Sequence, residues 1–354
     1  KTPGNLPAPI PSLFGRSADI SSICDCLAMQ GVRLLTLTGP VGVGKTCLAL
    51  EAGRRMAGEF QDGVYLVSLE PVQDPTLVPV VTATVLGIRE ARSRDVAQLV
   101  ADFLADKDTL VIFDNFEHLL PAAAFLSRLL ASCPNLGLVV TSRSRLHLYG
   151  EHEIIVDPLR LPDPSTPADA ADSPAVRLFC ARAQAARADF RLTPSLTPMV
   201  VEMCRKLDGL PLAIELAAAR VRLFSLQELQ QRLERRLPLF SQGAADLPSR
   251  LQGLENAIAW SYGLLSTFER ALLTRLAVFV NGFSVSAAEA VCDLPIADVP
   301  SSPGHKSPQE TPELMQSIEA LLDQSLLSRR TAEARSSGRR ASRSRGRAPI
   351  WPRC

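Results

Sequence analysis

The stretch LLTLTGPVGVGKTCLALEAGRRMA, residues 34–57, decides the fold. It opens as a strand of apolar residues and threonine, closes as a run of helix formers, and joins the two by G-x-x-x-x-G-K-T at 39–46. A strand that turns directly into a helix through glycines is what phosphate binding requires. Glycines at 39, 42 and 44 let backbone amides curl around phosphate oxygens, Lys45 reaches the β and γ phosphates, and Thr46 offers its hydroxyl to Mg2+. The candidate nucleotide contacts are therefore Gly39, Pro40, Val41, Gly42, Val43, Gly44, Lys45 and Thr46, with Cys47 behind them.

Outward from this turn, short β-branched runs alternate with longer helical stretches to about Leu161, the pattern of a parallel sheet covered by helices. Strands are predicted at 32–38, 64–69, 109–113, 136–141 and 153–156, all apolar enough to be central. The third ends in Asp114, a carboxylate suited to holding magnesium opposite Thr46. The fourth delivers Thr141, Ser142 and Arg143 to the same edge, where a guanidinium could read a γ-phosphate. Prolines from 158 to 174 break the pattern. Helices are predicted beyond them at 174–188, 195–207, 211–223 and 225–236, the last capped by Ser225, and again at 250–264, 267–280, 284–292 and 313–323.

Composition narrows the function. The chain has 354 residues, 46% hydrophobic and 21% charged, enough to bury more than one core. Residues 329–354 hold nine Arg and one Glu, and removing them from 38 basic and 37 acidic side chains leaves 29 against 36, a charge of −7. An acidic body excludes a broad electrostatic grip on nucleic acid, so direct DNA contact is not expected. The eight cysteines lack disulfide or zinc spacing, and no apolar run spans a membrane, so a reduced, cytoplasmic setting is expected.

Seven motifs in order carry a family resemblance: LFGRSADI (13–20), LLTLTGPVGVGKT (34–46), VIFDNFEHLL (111–120), VVTSR (139–143), DGLPLAIELAAAR (208–220), AIAWSYGLL (257–265) and FVNGFS (279–284). With them the chain resembles the STAND class of P-loop ATPases, close to the NB-ARC and AP-ATPase group and to the ATPase modules of bacterial helix-turn-helix transcriptional regulators. The resemblance implies an α/β fold, a P-loop NTPase parallel sheet flanked by helices, followed by an α-helical domain and an incomplete winged-helix-like domain. It implies that Phe14, Gly15 and Arg16 lie against adenine and ribose and that Pro211 closes over the adenine. Lys45, Asp114 and Arg143 become the catalytic candidates, with Thr46 and Asp114 on Mg2+ and Arg143 near the γ-phosphate. The Arg143 strand would lie between the phosphate-loop strand and the Asp114 strand.

Departures from the family pattern are informative. Ser17, Ala18 and Asp19 follow Arg16 where an acid commonly stands, and Val41 replaces a frequent glycine. Asn115 follows Asp114 where many related ATPases carry a second acid, Glu117 comes two residues later, and His118 reads as a helix-start residue. The implied organisation is a linker at 1–13, a nucleotide-binding domain at 14–161, a helical domain at 162–240, a truncated winged-helix-like domain at 241–328, and a disordered Arg-rich tail at 329–354. That tail has no apolar period and no wing strand is expected in it; its Arg/Ser/Pro text reads as an interrupted frame in a GC-rich gene.

The expected function is an ATP/ADP-binding switch with slow Mg2+-dependent hydrolysis, self-associating in the ATP state and regulating transcription through an output domain elsewhere. The alternative is a non-hydrolysing scaffold that keeps ADP and acts through protein contacts. A third reading, DNA binding through the basic tail, requires salt-dependent binding lost with residues 329–354.

Overall fold

The computed structural model describes residues 3–9, 13–88, 95–163, 167–234, 265–279, 283–292, 310–323, 326–329 and 350–352. The chain divides into two units, Lys1–Ser261 and Tyr262–Cys354. In the first, α1 (Ser17–Ala28), β1 (Leu34–Thr38), α2 (Lys45–Met56), β2 (Gly63–Ser68), α3 (Val78–Val85), α4 (Val96–Leu104), β3 (Thr109–Asp114), α5 (Ala123–Ser132), β4 (Leu136–Thr141) and β5 (Glu151–Ile155) form a sheet with its covering helices. A helical subdomain follows: α6 (Pro174–Ala186), α7 (Thr197–Lys206), α8 (Pro211–Ala219) and α9 (Leu226–Glu234).

The five strands are parallel in the order β2-β3-β4-β1-β5. β4 therefore lies between β1 and β3, the place the resemblance implies for the strand leading to Arg143. Every residue of β1, β3 and β4 is buried. Side chains alternate across the sheet, so Val111, Phe113, Leu138 and Val140 meet α4 and α5 through Val100, Leu104, Leu126 and Leu129. Leu35, Leu37, Ile112 and Val139 meet α1 and α2 through Ile23, Leu48, Ala49 and Ala52. Apolar residues on both faces of the inner strands make this double cover necessary.

Two strands expected to be central are edges. β5 carries Glu151, His152 and Glu153, and its outer positions are exposed; charge on an edge discourages pairing with another chain. β2 has β3 on one side and residues 3–9 on the other. Val64 N donates to Pro3 O at 3.1 Å, while the Asn5 side chain accepts from Leu66 N at 2.6 Å and donates to Leu66 O at 2.9 Å. The segment read as an extended linker thus runs along the sheet there, its amide side chain replacing one backbone pair.

The helical subdomain packs Val176, Phe179, Val200, Met203, Ile214 and Ala217 into a core of its own. Its caps follow the sequence: Ser173 accepts from Val176 N with Pro174 at the first helical position, and Ser225 accepts from Glu228 N at 3.3 Å.

The second unit contains α10 (Thr267–Leu276), α11 (Val285–Cys292), α12 (Glu310–Asp323), β6 (Leu327–Arg329) and β7 (Ile350–Pro352). Leu272, Leu276, Phe283, Ile318, Leu321 and Leu327 form its core, and Ser266 with Glu269 makes a capping box for α10. β6 and β7 pair antiparallel, Ser328 opposite Trp351. This corrects the expectation of a tail without any strand: Ile350 and Trp351 are the large apolar residues of an otherwise Arg/Ser-rich segment, and such residues favour strand pairing. The helix expected at 250–264, most of AIAWSYGLL and residues 330–349 lie outside the described residues. No helix among the described residues is long and apolar enough to cross a membrane.

Candidate functional site

The turn between β1 and α2 takes the shape its glycines permit. Gly39, Gly42 and Gly44 have φ of 146°, 78° and 101°. Its carbonyls are engaged one after another: Lys45 Nζ donates to Gly39 O at 2.8 Å and Pro40 O at 3.1 Å, Leu212 N to Gly42 O at 3.1 Å, and Arg16 Nη2 to Val43 O at 2.8 Å. In a planar trans peptide the next amide points the opposite way, so Val41 and Gly44 turn theirs away from these donors. Together with the first turn of α2 this is the backbone arrangement that anion binding requires.

Arg16 also ties parts of the chain together, which the resemblance does not imply. Its guanidinium is buried and also donates from Nη1 to Asp19 Oδ2 and Asp157 O, each at 2.8 Å, so it ties the start of α1, the loop and the end of β5 together. Asp19 supplies the acid that the motif lacks directly after its arginine. Gly15 has φ of 65° and abuts Pro174, leaving no room for a Cβ. Phe14 packs on the helical core under the Arg177 guanidinium, 5.6 Å from the ring centre.

The DGLPL run places the opposite wall. Asp208 and Gly209 have φ of 51° and 67°, which ends α7 and turns the chain into α8. Gly209 approaches the backbone of Leu159 too closely for any side chain, and Leu159 N donates to Gly209 O at 2.9 Å. Pro211 then takes the first position of α8 and Leu212 reaches the phosphate loop. Between the loop and the helical subdomain is a cavity of about 470 Å³, within the range of small-ligand sites. Phe14, Leu159, Leu178, Pro211 and Leu212 make one end apolar; Lys45, Thr46, Asn115, Glu117 and Thr141 make the other polar.

At the polar end, Thr46 Oγ1 and Thr141 Oγ1 both donate to Asp114 Oδ1 at 2.6 Å. Hydroxyl and carboxylate oxygens in contact at the start of α2 are hard donors that suit Mg2+. Thr141 also accepts from Asn115 N at 2.9 Å, and Phe116 N donates to Thr141 O at 2.9 Å, so this threonine fixes the chain that leaves β3. Asn115 has φ of 67°, and its Nδ2 lies 3.4 Å from His118 Nδ1. His118 Nε2 is 2.6 Å from Val72 O, which can only accept; the proton therefore sits on Nε2 and Nδ1 receives the amide of Asn115.

The structure brings together Phe14, Arg16, Val41 to Cys47 and Pro211 on the cavity wall, with Asp114 behind Thr46. Arg143 is not brought to that wall. It is 2% exposed, and burial pulls its guanidinium below the ordinary value while the nearby Glu117 charge opposes the shift. Sequence reading assigned no role to Glu117, Thr141, Leu212 or the ion pair in which Arg182 Nη2 lies 2.9 Å from Glu215 Oε1 across α6 and α8. No motif marks a contact made by two helices meeting. Burial raises the Cys47 thiol, with Glu215 and Asp114 adding to the effect.

A parallel sheet of this order, with G-x-x-x-x-G-K-T joining β1 to α2, defines the P-loop NTPase fold. Among solved structures, the Aeropyrum pernix ORC2 protein in ADPNP–ADP complexes is similar at a TM-score of 0.52 and 13% identity, over 90% of this chain and 88% of that one. No protein-family model matches the chain. By sequence it is 38% identical over 281 residues to the uncharacterized Mycobacterium tuberculosis protein Rv0894, covering 79% of this chain and 68% of that protein. The chain belongs to the family of Rv0894. It is also 37% identical over 260 residues to M. tuberculosis Rv0890c, named as an HTH-type transcriptional regulator, covering 73% of this chain and 28% of that protein.

Proposed function

We propose that the chain is the nucleotide-binding module of a transcriptional regulator, a STAND switch of the NB-ARC kind that binds ATP or ADP. The observation that carries this reading is the fastening of α8 to the phosphate loop through Leu212 N and Gly42 O at 3.1 Å. A ligand seated on the loop touches both walls of the cavity, so its phosphate number can bias how the two subdomains meet. The apolar end, from Phe14 to Pro211, suits adenine, and the loop with Lys45 suits the phosphates. Thr46 and Asp114 would hold Mg2+, which when bound neutralises charge on the β and γ phosphates.

Arg143 serves in this reading as the γ-phosphate sensor, which requires its guanidinium to leave the buried place it now holds. Hydrolysis is then slow and acts as the reset. The winged-helix-like part expected at 241–328 falls for the most part within the second unit, and self-association in the ATP state and DNA contact belong to surfaces or domains beyond the site. A non-hydrolysing ADP-bound scaffold is the second reading, favoured by the amide of Asn115 where an acid could stand.

Mass spectrometry of nucleotide released from the purified protein, with calorimetry of ATP on wild type and Lys45→Ala, tests the assignment. Bound adenine nucleotide and an affinity loss of about 2 kcal/mol on removing the lysine are expected, the scale of a charged hydrogen bond. Equal ATP affinity for both proteins would sink it, and phosphate release from the wild type separates switch from scaffold.

A further inference from the structure

Hydrolysis needs a group to take a proton from water, and Asn115 is occupied otherwise. Its backbone amide is held by Thr141 and its side chain by His118, and an amide is no base. The same contacts place the next carboxylate. The left-handed turn at Asn115, the buried Phe116 ring edge-on to Phe113 at 6.2 Å, and the anchored His118 fix the chain on both sides of Glu117.

Glu117 lines the polar end of the cavity with Lys45, Thr46 and Thr141. Its Oε2 is buried and accepts no hydrogen bond among the described residues. A buried carboxylate oxygen left in this way is costly, and such groups gather where chemistry uses them. The other carboxylates near the loop are committed: Asp114 Oδ1 receives two hydroxyls, and Glu215 is paired with Arg182.

We propose that Glu117 is the general base of ATP hydrolysis in this chain, an inference that rests on the nucleotide-switch reading above. A water oxygen forms a bond to the γ-phosphorus while the bond from that phosphorus to the bridging oxygen breaks, its electron pair leaving with ADP. The water proton passes to Glu117 Oε2, and the protonated carboxyl then releases it to phosphate or solvent, which restores the base.

The test uses the full chain with Glu117→Gln and Glu117→Asp, measuring ATP affinity by calorimetry, melting temperature, and single-turnover phosphate release across pH. Glu117→Gln should bind ATP within about twofold of wild type while hydrolysis falls at least 100-fold and loses the acid limb of its pH profile, the scale of removing a general base. Glu117→Asp keeps a charge beside Arg143 and withdraws the carboxylate by one methylene, so it should retain ATP affinity and melting temperature but lose at least tenfold in rate. A wild-type rate in either variant overturns the proposal, as does a parallel fall of ATP affinity, stability and rate in both, which would make Glu117 a partner of Arg143 only. Wild type that binds ATP without releasing phosphate also overturns it and leaves the nucleotide-binding reading standing, whereas wild type that binds no ATP overturns both.

Discussion

Leu212 and Gly42 touch backbone to backbone: the amide in the first turn of α8 donates to the carbonyl at the middle of the phosphate loop at 3.1 Å. Gly42 has φ of 78°, and a Cβ there would lie 2.7 Å from the Leu212 Cβ. Both facts require glycine. Gly42→Ala should destabilise the protein by at least about 1–2 kcal/mol from backbone conformation alone, and should weaken ATP and ADP together by parting the two walls. Denaturant titration and calorimetry check this, and an alanine variant with wild-type affinity for both nucleotides would refute the latch.

At the other side of the loop, Asp114 is set by the hydroxyls of Thr46 and Thr141. Asp114→Asn keeps an oxygen that can accept from Thr46 and Thr141 but removes the charge that Mg2+ requires. The expected outcome is ATP binding that no longer strengthens when Mg2+ is added, with Mg2+-free binding retained. Thr141→Val, by contrast, strands the buried amide of Asn115 and should cost about 1–3 kcal/mol of stability. Titrations with and without Mg2+ tell the two effects apart.

Cys180 and Cys204 give the helical subdomain an alkaline limit. Burial pushes Cys180 up to about 11 and Cys204 up to about 12, the latter also feeling Cys180. A thiol whose folded pKa exceeds its unfolded value stabilises the fold in its neutral form. That contribution is complete below pH about 9, the ordinary thiol value, and is lost as pH rises through 11 to 12. Melting temperature should therefore fall between these limits, and a Cys180→Ala, Cys204→Ala double variant should fall less. Equal slopes in both proteins would show that other groups set the limit.

The sheet and the phosphate loop were legible because each rests on local pattern, apolar runs, glycine spacing and a lysine before threonine; of the strand order only the place of β4 between β1 and β3 was expected, and that came from the family resemblance. Edge positions were not legible, since β5 reads as apolar at Ile154 and Ile155 while its exposure follows from having no strand beyond it among the described residues. Likewise, GLPL could be matched as a motif, yet nothing in it says that Gly209 must clear the Leu159 backbone or that Leu212 reaches Gly42. His118 was read as a helix-start residue; the tautomer that holds Asn115 depends on Val72, 46 residues away, and such pairings come only with the fold.

Arg143 joins stability to nucleotide discrimination, and its present place makes the two separable. The side chain is 2% exposed beside the Glu117 charge and off the cavity wall, so removing it leaves that carboxylate's charge poorly matched whatever the later role of Arg143. Arg143→Ala should lower stability by about 1–3 kcal/mol, the cost of leaving a buried charge poorly matched. Only a triphosphate offers oxygens beyond the β position, and reaching them draws the guanidinium out of its burial site. ATP affinity should therefore fall while ADP affinity is spared. Turnover in wild type should stay well below the ~10 s⁻¹ enzyme median, because the transition-state charge lacks a guanidinium until that rearrangement occurs. Calorimetry with both nucleotides and a phosphate-release assay decide the matter. A parallel loss of ATP and ADP affinity would confine Arg143 to supporting the fold, and turnover near the median would mean that hydrolysis does not wait for its guanidinium to leave the buried place.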